Sequence, residues 1–348
     1  MNIIAFDLGS EVSSVYVCDK GGRKLREELV ETSAKALKKV VKGVKEPRMV
    51  VFEEGPQAGW LITLFEPHCA DVFVCNPRKN RQLGGISKSD KNDARGLAER
   101  ARLGALSRVW HGQGELRQLR EAVRHYQEMT KQSTRLKNQM KAVFRSNGIA
   151  VRRQVYDPKK RDEIVRRLPL PEQQVRVLAF GDLLQEVTRH RNEAVRRMVA
   201  IARRNVMYRP LRAIDAIGPK FASMFIAEVG YPERFRRKEQ LWSYAGLAVC
   251  TYETSEFEIV KGRTVRKRGV AKTRGLVRSY NRTLKYLFKQ TSMTLSRTKW
   301  RPYYEAVRSR TSDSNKALLT VARKVAAVML RIAKSGEKYD ITRILPTA

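Results

Sequence analysis

Four acidic side chains stand at positions where metal-dependent phosphate chemistry would need them. Asp7 directly follows one apolar run and Glu53 follows a second one. Asp90 and Asp93 are three residues apart where a helical pattern begins, so they share one face of that helix. Carboxylates that are crowded together repel one another and stay ionised only if a cation neutralises them. The sequence therefore predicts a site for a divalent metal ion, of the kind that a metal-dependent nuclease uses.

The charge balance indicates what such a metal would act on. The chain has 71 Lys and Arg residues against 35 Asp and Glu, a formal net charge of +36. Residues 1–104 contain 18 basic and 14 acidic side chains, whereas the remainder contains 53 and 21, a net charge of +32. This excess is far beyond what solubility requires, so the partner should be a polyanion. Because no segment combines the excess with a lipid-facing apolar helix, nucleic acid is favoured and a membrane is not.

Length and composition exclude several classes of protein. At 348 residues, 42% of them hydrophobic, the chain can bury real cores in two or three domains. The first residues lack the charged segment of a signal peptide and no run reaches the length of a membrane span, so we expect a cytoplasmic protein. The 4 cysteines form no Cys-x-x-Cys pair and the 4 histidines are scattered, which argues against a zinc finger and predicts free thiols.

Strands and helices alternate over the first 75 residues. The predicted strands cover residues 2–6, 12–18, 48–52 and 71–75, and the predicted helices cover residues 35–44 and 57–66. The first two strands form a hairpin, and the later alternation predicts a mainly parallel sheet flanked by helices. Reactive groups collect at strand ends in such sheets, and this is where Asp7 and Glu53 lie.

Two long amphipathic helices are predicted in the middle of the chain. Apolar residues recur at three- and four-residue intervals over residues 115–145 and again over residues 177–201, with basic residues on the other faces. A basic linker that contains three prolines separates them. The two helices could pair with each other as an antiparallel hairpin or assemble with another subunit, and the sequence leaves both alternatives open.

The last third contains two candidate phosphate-binding segments. Residues 214–222 resemble a helix-hairpin-helix, in which a tight glycine turn exposes backbone N–H groups to a phosphate. Ala216 replaces the first glycine of that turn, so a simple helical packing unit remains the alternative. Residues 261–274 carry seven basic side chains and no acidic one, and they resemble a phosphate-binding loop more than a helix face.

Short motifs follow one another along most of the chain. They are Ala5-Phe-Asp7, Val51-Phe-Glu53-Glu-Gly-Pro56, Val74-Cys-Asn-Pro-Arg78, Lys88-Ser-Asp90-Lys-Asn-Asp93-Ala94, Ile217-Gly-Pro and Tyr244-Ala-Gly-Leu247. Each motif is weak alone, but in this order and spacing they resemble the DEDD transposases of the IS110 insertion-sequence family, which are bridge-RNA-guided recombinases.

The resemblance implies an architecture in three parts. Residues 1–108 would form an α/β RNase H-like (RuvC-like) DEDD catalytic domain. Residues 109–208 would form a long helical coiled-coil and linker region. Residues 209–348 would form a mainly α C-terminal transposase domain that contributes a catalytic serine.

The resemblance also assigns the acidic residues. Asp7, Glu53, Asp90 and Asp93 would be the catalytic tetrad and would bind one or two Mg²⁺ ions. Glu53 is preferred to Glu54 because the acid of the family pattern precedes a small residue, a glycine and a proline.

The implied reaction is RNA-guided cleavage and exchange of DNA strands through a covalent phosphoserine. The nucleophile would be Ser255, with Thr254 as the alternative if the motif is shifted by one residue. A noncoding bridge RNA would pair with donor and target DNA, and the protein would act as a homo-oligomer, a dimer or a tetramer, at the bacterial or archaeal nucleoid. Two other functions remain open: an RNase H-like or junction-resolving nuclease that uses water as nucleophile, and a noncatalytic RNA-binding protein.

Basic residues of the motifs, the hairpin and the basic stretch are predicted to contact nucleic acid. They are Arg78, Lys79, Lys88, Lys220, Lys261, Arg263, Arg266, Lys267, Arg268, Lys272 and Arg274. Contacts to phosphate backbones do not distinguish DNA sequences, so the DNA target would be selected by base pairing with the RNA.

Overall fold

The computed structural model describes two compact units, residues 1–111 and residues 112–348. The backbone is described for residues 1–77, 90–252, 257–260, 263–266, 272–311 and 313–342. Within these ranges the side chains of residues 90–92 and 251–274 are left out of the description. The division of the second part of the chain near residue 208 stays a prediction.

A five-stranded mixed sheet forms the centre of the first unit. Its strands are β1 (Asn2–Leu8), β2 (Val12–Cys18), β3 (Lys24–Glu31), β4 (Arg48–Glu53) and β5 (Asp71–Cys75). The strand order is β3-β2-β1-β4-β5, in which β1–β2 and β2–β3 are antiparallel and β1–β4 and β4–β5 are parallel. The expectation of a mainly parallel sheet is therefore wrong, because half of the strand pairs are antiparallel neighbours joined by short turns.

Helices cover both faces of this sheet. Helices α1 (Ala34–Lys42) and α2 (Ala58–Phe65) pack on the face that contains Ile4 and Phe6. Helix α3 (Asp90–Arg102) packs on the opposite face. Because side chains alternate along a strand, both faces of β1 are apolar and buried.

The two long helices are paired within one chain. Helices α4 (Gly114–Arg145) and α6 (Pro171–Ala202) pack against each other, with α5 (Pro158–Val165) between them in sequence. They run antiparallel, because Arg204 beyond the end of α6 is 3.2 Å from Glu115 at the start of α4. The structure thus contains the intrachain helical hairpin that the sequence left open.

Short helices and strands make up the rest of the second unit. Its helices are α7 (Tyr208–Arg212), α8 (Pro219–Val229), α9 (Lys238–Tyr244), α10 (Arg282–Leu295), α11 (Arg301–Thr311) and α12 (Ser314–Ser335). Its strands are β6 (Val249–Tyr252), β7 (Phe257–Val260), β8 (Arg263–Arg266) and β9 (Lys272–Leu276). The basic stretch predicted as a loop contains β8 and the first residues of β9, and these strands pair with β7 and β6 respectively. None of the helices in the described part of the chain could span a membrane.

The turn between α7 and α8 has the backbone of a tight hairpin. Ala216 has a φ of 62°, the left-handed region in which glycine is favoured. Next to it, Asp215 accepts a hydrogen bond from the Tyr339 hydroxyl at 2.8 Å, and that hydroxyl accepts one from Trp300 Nε1 at 2.9 Å. The C-terminal segment therefore holds the turn in place.

Substitutions of Ala216 should reveal this strained conformation. An L-residue in the left-handed region costs about 1–2 kcal/mol, and a β-branched one costs more. We expect Ala216→Val to lower the free energy of unfolding by about 1–2 kcal/mol, and Ala216→Gly to leave it unchanged or raise it by up to about 1 kcal/mol. The control is Ala213, which has a φ of −74° and where Gly should instead destabilise by about 0.5–1 kcal/mol. Urea denaturation followed by circular dichroism measures the free energy of unfolding of all three variants. An equal loss of that free energy for Ala216→Gly and Ala213→Gly would contradict the assignment.

Candidate active site

Asp7 and Glu53 lie at the C-terminal ends of two neighbouring strands, β1 and β4, and therefore at the same edge of the sheet. In the parallel ladder of β1 and β4, Phe6 pairs with Phe52. Asp7 directly follows Phe6, and Glu53 directly follows Phe52. Neighbouring strands are about 4.8 Å apart, so the two backbones carry the carboxylates side by side. Both side chains are half-buried.

The two carboxylates also point to the same face. Ile3 and Ala5 on β1 and Met49 and Val51 on β4 belong to the core beneath α3. Because residues two apart in a strand share a face, Asp7 and Glu53 extend these two rows towards the α3 side.

Helix α3 brings its N-terminus to this edge. Near its C-terminus, the guanidinium of Arg102 lies beside Gly22, in the turn between β2 and β3. Burial raises the pKa of the Cys18 thiol and Glu99 raises it further, so the last turns of α3 lie by Cys18, which pairs with Ile3 at the start of β1. The helix runs antiparallel to β1 over about 20 Å, nearly the length of the strand, and therefore begins near Asp7.

Both aspartates of α3 belong to its first turn, which precedes the residues by which the helix contacts the sheet. Ala94, Leu97 and Ala98 are buried against β1, β2 and β4. Asp90 precedes Ala94 by four residues and Asp93 precedes Leu97 by four, so each stands one helical turn before a residue that contacts the sheet. Asp93 is exposed to solvent, and the side chain of Asp90 lies outside the described residues.

The chemistry of these residues fits a Mg²⁺ ion. Mg²⁺ is usually held by one or two carboxylates together with waters and substrate phosphates, and Asp7 and Glu53 offer two from one edge. Among the residues with described side chains, no group of three or more His, Cys, Asp or Glu is close enough to hold a metal. Asp7, Glu53 and Asp93 are among the searched side chains, so these three do not form such a group in the described structure. The side chain of Asp90 is not part of the description, and the tetrad as a metal centre remains a proposal.

Glu54 has a different environment from Glu53. Its backbone N–H donates to the Cys75 carbonyl at 2.9 Å, and its carboxylate is 2.5 Å from Nε2 of His111. The alternation along the chain places it away from the α3 face. The sequence offered no signal for this pair, because His111 is 57 residues away and belongs to no motif.

The segment that carries the predicted nucleophile is described only at its flanks. Ser255 and Thr254 lie outside the described residues. The antiparallel pair of β6 and β9 brackets them, with Tyr252 opposite Lys272. The Val277 N–H donates to the Ala248 carbonyl at 3.0 Å. The first and last residues of the segment are therefore held next to each other, where it joins the helices of the second unit.

Comparisons with known proteins agree with the order of these parts. A transposase model named for the DEDD motif and IS110 matches residues 4–147, and the model of the transposase IS116/IS110/IS902 family matches residues 208–305. Together the two matches cover more than half of the chain. The chain belongs to the IS110 family of DEDD transposases. It is a DNA transposase, which excludes the noncatalytic RNA-binding alternative. No curated protein matches the chain significantly.

A partly buried polar cluster clamps the base of the β6–β9 segment in this transposase. The Asn281 side-chain amide donates to the Glu228 carboxylate at 2.7 Å and to the Tyr244 hydroxyl at 3.3 Å. The Asn281 N–H donates to the Tyr244 carbonyl at 2.7 Å, and Arg234 lies over the Tyr244 ring, 4.9 Å from its centroid. Gly246 is required beside it, because its φ is 68° and a Cβ there would lie 2.5 Å from the Tyr280 ring. Sequence reasoning missed this cluster, although Tyr244 and Gly246 belong to one of the motifs.

Removing the clamp should destabilise the second unit. Asn281 also caps α10, because its side-chain oxygen accepts from the Leu284 N–H at 3.0 Å. Asn281→Ala loses that cap, worth about 1 kcal/mol. It also removes the hydrogen-bond donor of the buried Glu228 carboxylate, which costs about 1–3 kcal/mol and leaves that carboxylate its ion pair with Arg120 at 3.8 Å. We expect a total loss of about 2–4 kcal/mol in urea denaturation, given by these two contributions.

The control for Asn281 is Asp313, which caps α12 without contacting a buried carboxylate. Asp313→Ala should lose only the cap, about 1 kcal/mol. Equal losses for the two variants would mean that the contact with Glu228 contributes nothing.

Most of the predicted nucleic-acid contacts lie outside the described side chains. This holds for Arg78, Lys79, Lys88, Lys261, Arg263, Arg266, Lys267, Arg268, Lys272 and Arg274. Lys220 is described at the start of α8, where its ammonium lies 5.7 Å from the centroid of Tyr126 and 5.1 Å from that of Phe221. It is half-buried against these rings, so its role as a phosphate contact remains a proposal.

Proposed function

We propose that this transposase cleaves and exchanges DNA strands through a covalent phosphoserine, guided by a noncoding RNA. The observation that carries the proposal is the placement of Asp7, Glu53 and the N-terminus of α3 at one edge and one face of the sheet. The mixed sheet with helices on both faces is compatible with the RNase H-like fold that the resemblance implies.

Asp7, Glu53, Asp90 and Asp93 would hold one or two Mg²⁺ ions. The metal supplies Lewis-acid stabilisation of the charge on the scissile phosphate. The Ser255 hydroxyl attacks the phosphorus, an Oγ–P bond forms, and the bond to the leaving DNA oxygen breaks. The hydroxyl loses its proton and the leaving oxygen takes one up, so the released DNA strand ends in a hydroxyl group. The resulting phosphodiester keeps the energy of the cleaved bond, so a different DNA end can attack it and rejoin without ATP.

The charge of the protein supports an RNA partner as well as DNA. The chain after residue 104 has a net charge of +32, far more than one short DNA contact neutralises. With the sequence read by base pairing, the protein needs to hold phosphate backbones and A-form geometry.

The experiment that tests the proposal is a search for the covalent adduct. The transposase is incubated with Mg²⁺, RNA transcribed from the flanks of its element, and end-labelled donor and target DNA, then separated on a denaturing gel. We expect a protein–DNA adduct that depends on Mg²⁺ and RNA and maps by peptide analysis to Ser255. Cleavage without an adduct would favour the nuclease alternative, in which water is the nucleophile.

A further inference from the structure

A basic cleft lies between α9, α11 and α12 of the second unit. It has a volume of about 780 Å³. Six of its basic side chains form no ion pair within the described part of the chain: Arg236, Arg237, Lys238, Arg323, Lys324 and Lys334. A seventh, Arg331, is paired with Glu337, and the lining contains one acidic residue, Glu239. Cations in this excess over acidic residues repel one another, and a bound polyanion would relieve that repulsion.

An aromatic ring is fixed in the wall of this cleft. The Trp242 indole N–H donates to the Arg323 carbonyl at 2.9 Å, which fixes the ring against α12. The Lys238 ammonium lies 5.5 Å from the ring centroid and the Arg323 guanidinium carbon lies 5.8 Å from it. Trp242 is half-buried, so part of the ring still faces the cleft. A positioned ring beside cations is the arrangement on which unpaired bases stack.

Arg323 is positioned in advance of any ligand. Its Nε donates to the Leu247 carbonyl at 2.8 Å. Burial lowers the pKa of Arg323, and no neighbouring carboxylate in the described structure opposes that effect. A guanidinium that is partly removed from water without a counterion gains more from a phosphate than an exposed one does.

We propose that this cleft binds single-stranded nucleic acid, with phosphates against Arg323 and Lys324 and a base against Trp242. An unpaired strand fits better than a duplex, because a base within a duplex is stacked and cannot reach a ring in the wall of a cleft. The proposal deepens the proposed function and rests on it, since it names a strand that the transposase would hold. Leu247 accepts the hydrogen bond from Arg323 and is two residues before β6. The bound nucleic-acid strand would therefore lie at the base of the segment that carries Ser255.

Binding assays on the full chain without Mg²⁺ test this cleft independently of cleavage. The probes are fluorescein-labelled dT15, U15 and a 15-bp duplex, and the readout is fluorescence anisotropy. We expect Trp242→Leu to weaken binding of dT15 or U15 by about 5- to 100-fold, the usual effect of losing one base–aromatic stack, and to leave the duplex nearly unaffected. The matched control is Trp60→Leu, a partly exposed tryptophan of the first unit. A preference for U15 over dT15 would identify RNA as the strand, and the reverse would identify DNA.

A second binding test compares two double variants that each remove two positive charges. Arg323→Gln/Lys324→Gln should reduce the slope of log K against log salt by about 1.4, since each phosphate contact of a single strand contributes about 0.7. The control, Arg196→Gln/Arg203→Gln, removes two exposed arginines. Arg196 lies near the C-terminus of α6, and Arg203 directly follows that helix. Equal slopes and affinities for the two double variants would overturn the proposal, because binding would then reflect net charge alone.

Photocrosslinking of the unaltered protein covers the case in which Trp242→Leu does not fold. An oligonucleotide with 5-iodouracil at its centre is irradiated with the wild-type chain, and the crosslinked peptide is sequenced. A crosslink in α9 or α12 supports the cleft, and crosslinks confined to other elements contradict it. Failure of the Ser255 chemistry would leave all of these binding results unchanged, so the two proposals fail separately.

Discussion

Asp7→Asn should reduce DNA cleavage by the transposase by about a thousandfold, while binding of DNA and RNA is retained. The exchange removes one negative charge at the edge of the sheet and keeps the size of the side chain. Lewis-acid stabilisation by a metal is worth several kcal/mol in the transition state, and each 1.4 kcal/mol is about a tenfold change in rate. The measurement is the single-turnover rate of adduct formation at saturating RNA and Mg²⁺.

The control for Asp7 is Glu31, an exposed carboxylate on β3, two strands away in the same sheet. Glu31→Gln changes the net charge by the same amount and should leave the rate within about twofold, as expected for a surface substitution. A rate loss for Asp7→Asn that equals that for Glu31→Gln would remove Asp7 from the catalytic centre. Glu53→Gln should behave like Asp7→Asn, whereas Glu54→Gln, which alters the pair with His111, should not.

The edge that holds Asp7 and Glu53 was predictable from the sequence because it depends on local patterns. Each acid follows a continuous apolar run, and the strands Asn2–Leu8 and Arg48–Glu53 confirm those runs. Strand β3 was missed because Lys24–Glu31 is an exposed edge strand, rich in charged residues and without a buried row. Without β3, the alternation of strands and helices predicts a mainly parallel sheet, whereas the antiparallel pairing of β3 with β2 makes the sheet mixed.

The position of α3 and the clamp around Asn281 depend on tertiary packing, so the sequence could not specify them. The helical pattern after Asp90 predicted a helix, but its direction over the sheet follows from the contact of Arg102 with the turn at Gly22. Likewise, Asn281 and Glu228 are 53 residues apart and no spacing rule joins them. The long helices were predictable over nearly their whole lengths, and their pairing within one chain required the structure.

Ser255→Ala should abolish the covalent protein–DNA adduct altogether. An alanine has no oxygen to attack phosphorus, and loss of a nucleophilic serine lowers rates by as much as about a millionfold in other enzymes. Thr254→Val is the matched control, because it removes the neighbouring hydroxyl and should leave adduct formation intact. The opposite pattern would make Thr254 the nucleophile, and an adduct that survives both substitutions would place the nucleophile elsewhere.

The same variant also separates recombination from hydrolysis and tests whether subunits share a site. If water were the nucleophile, Ser255→Ala would still cleave labelled DNA, since the acidic residues of the first unit would be intact. If the acids and the serine of one site come from different subunits, mixing Asp7→Ala chains with Ser255→Ala chains should restore part of the adduct. In the mixture the adduct can form only on the Asp7→Ala chain, because that chain alone retains Ser255. A size tag on one chain shows which chain is labelled, and no recovery on mixing would mean that each subunit builds its site from its own residues.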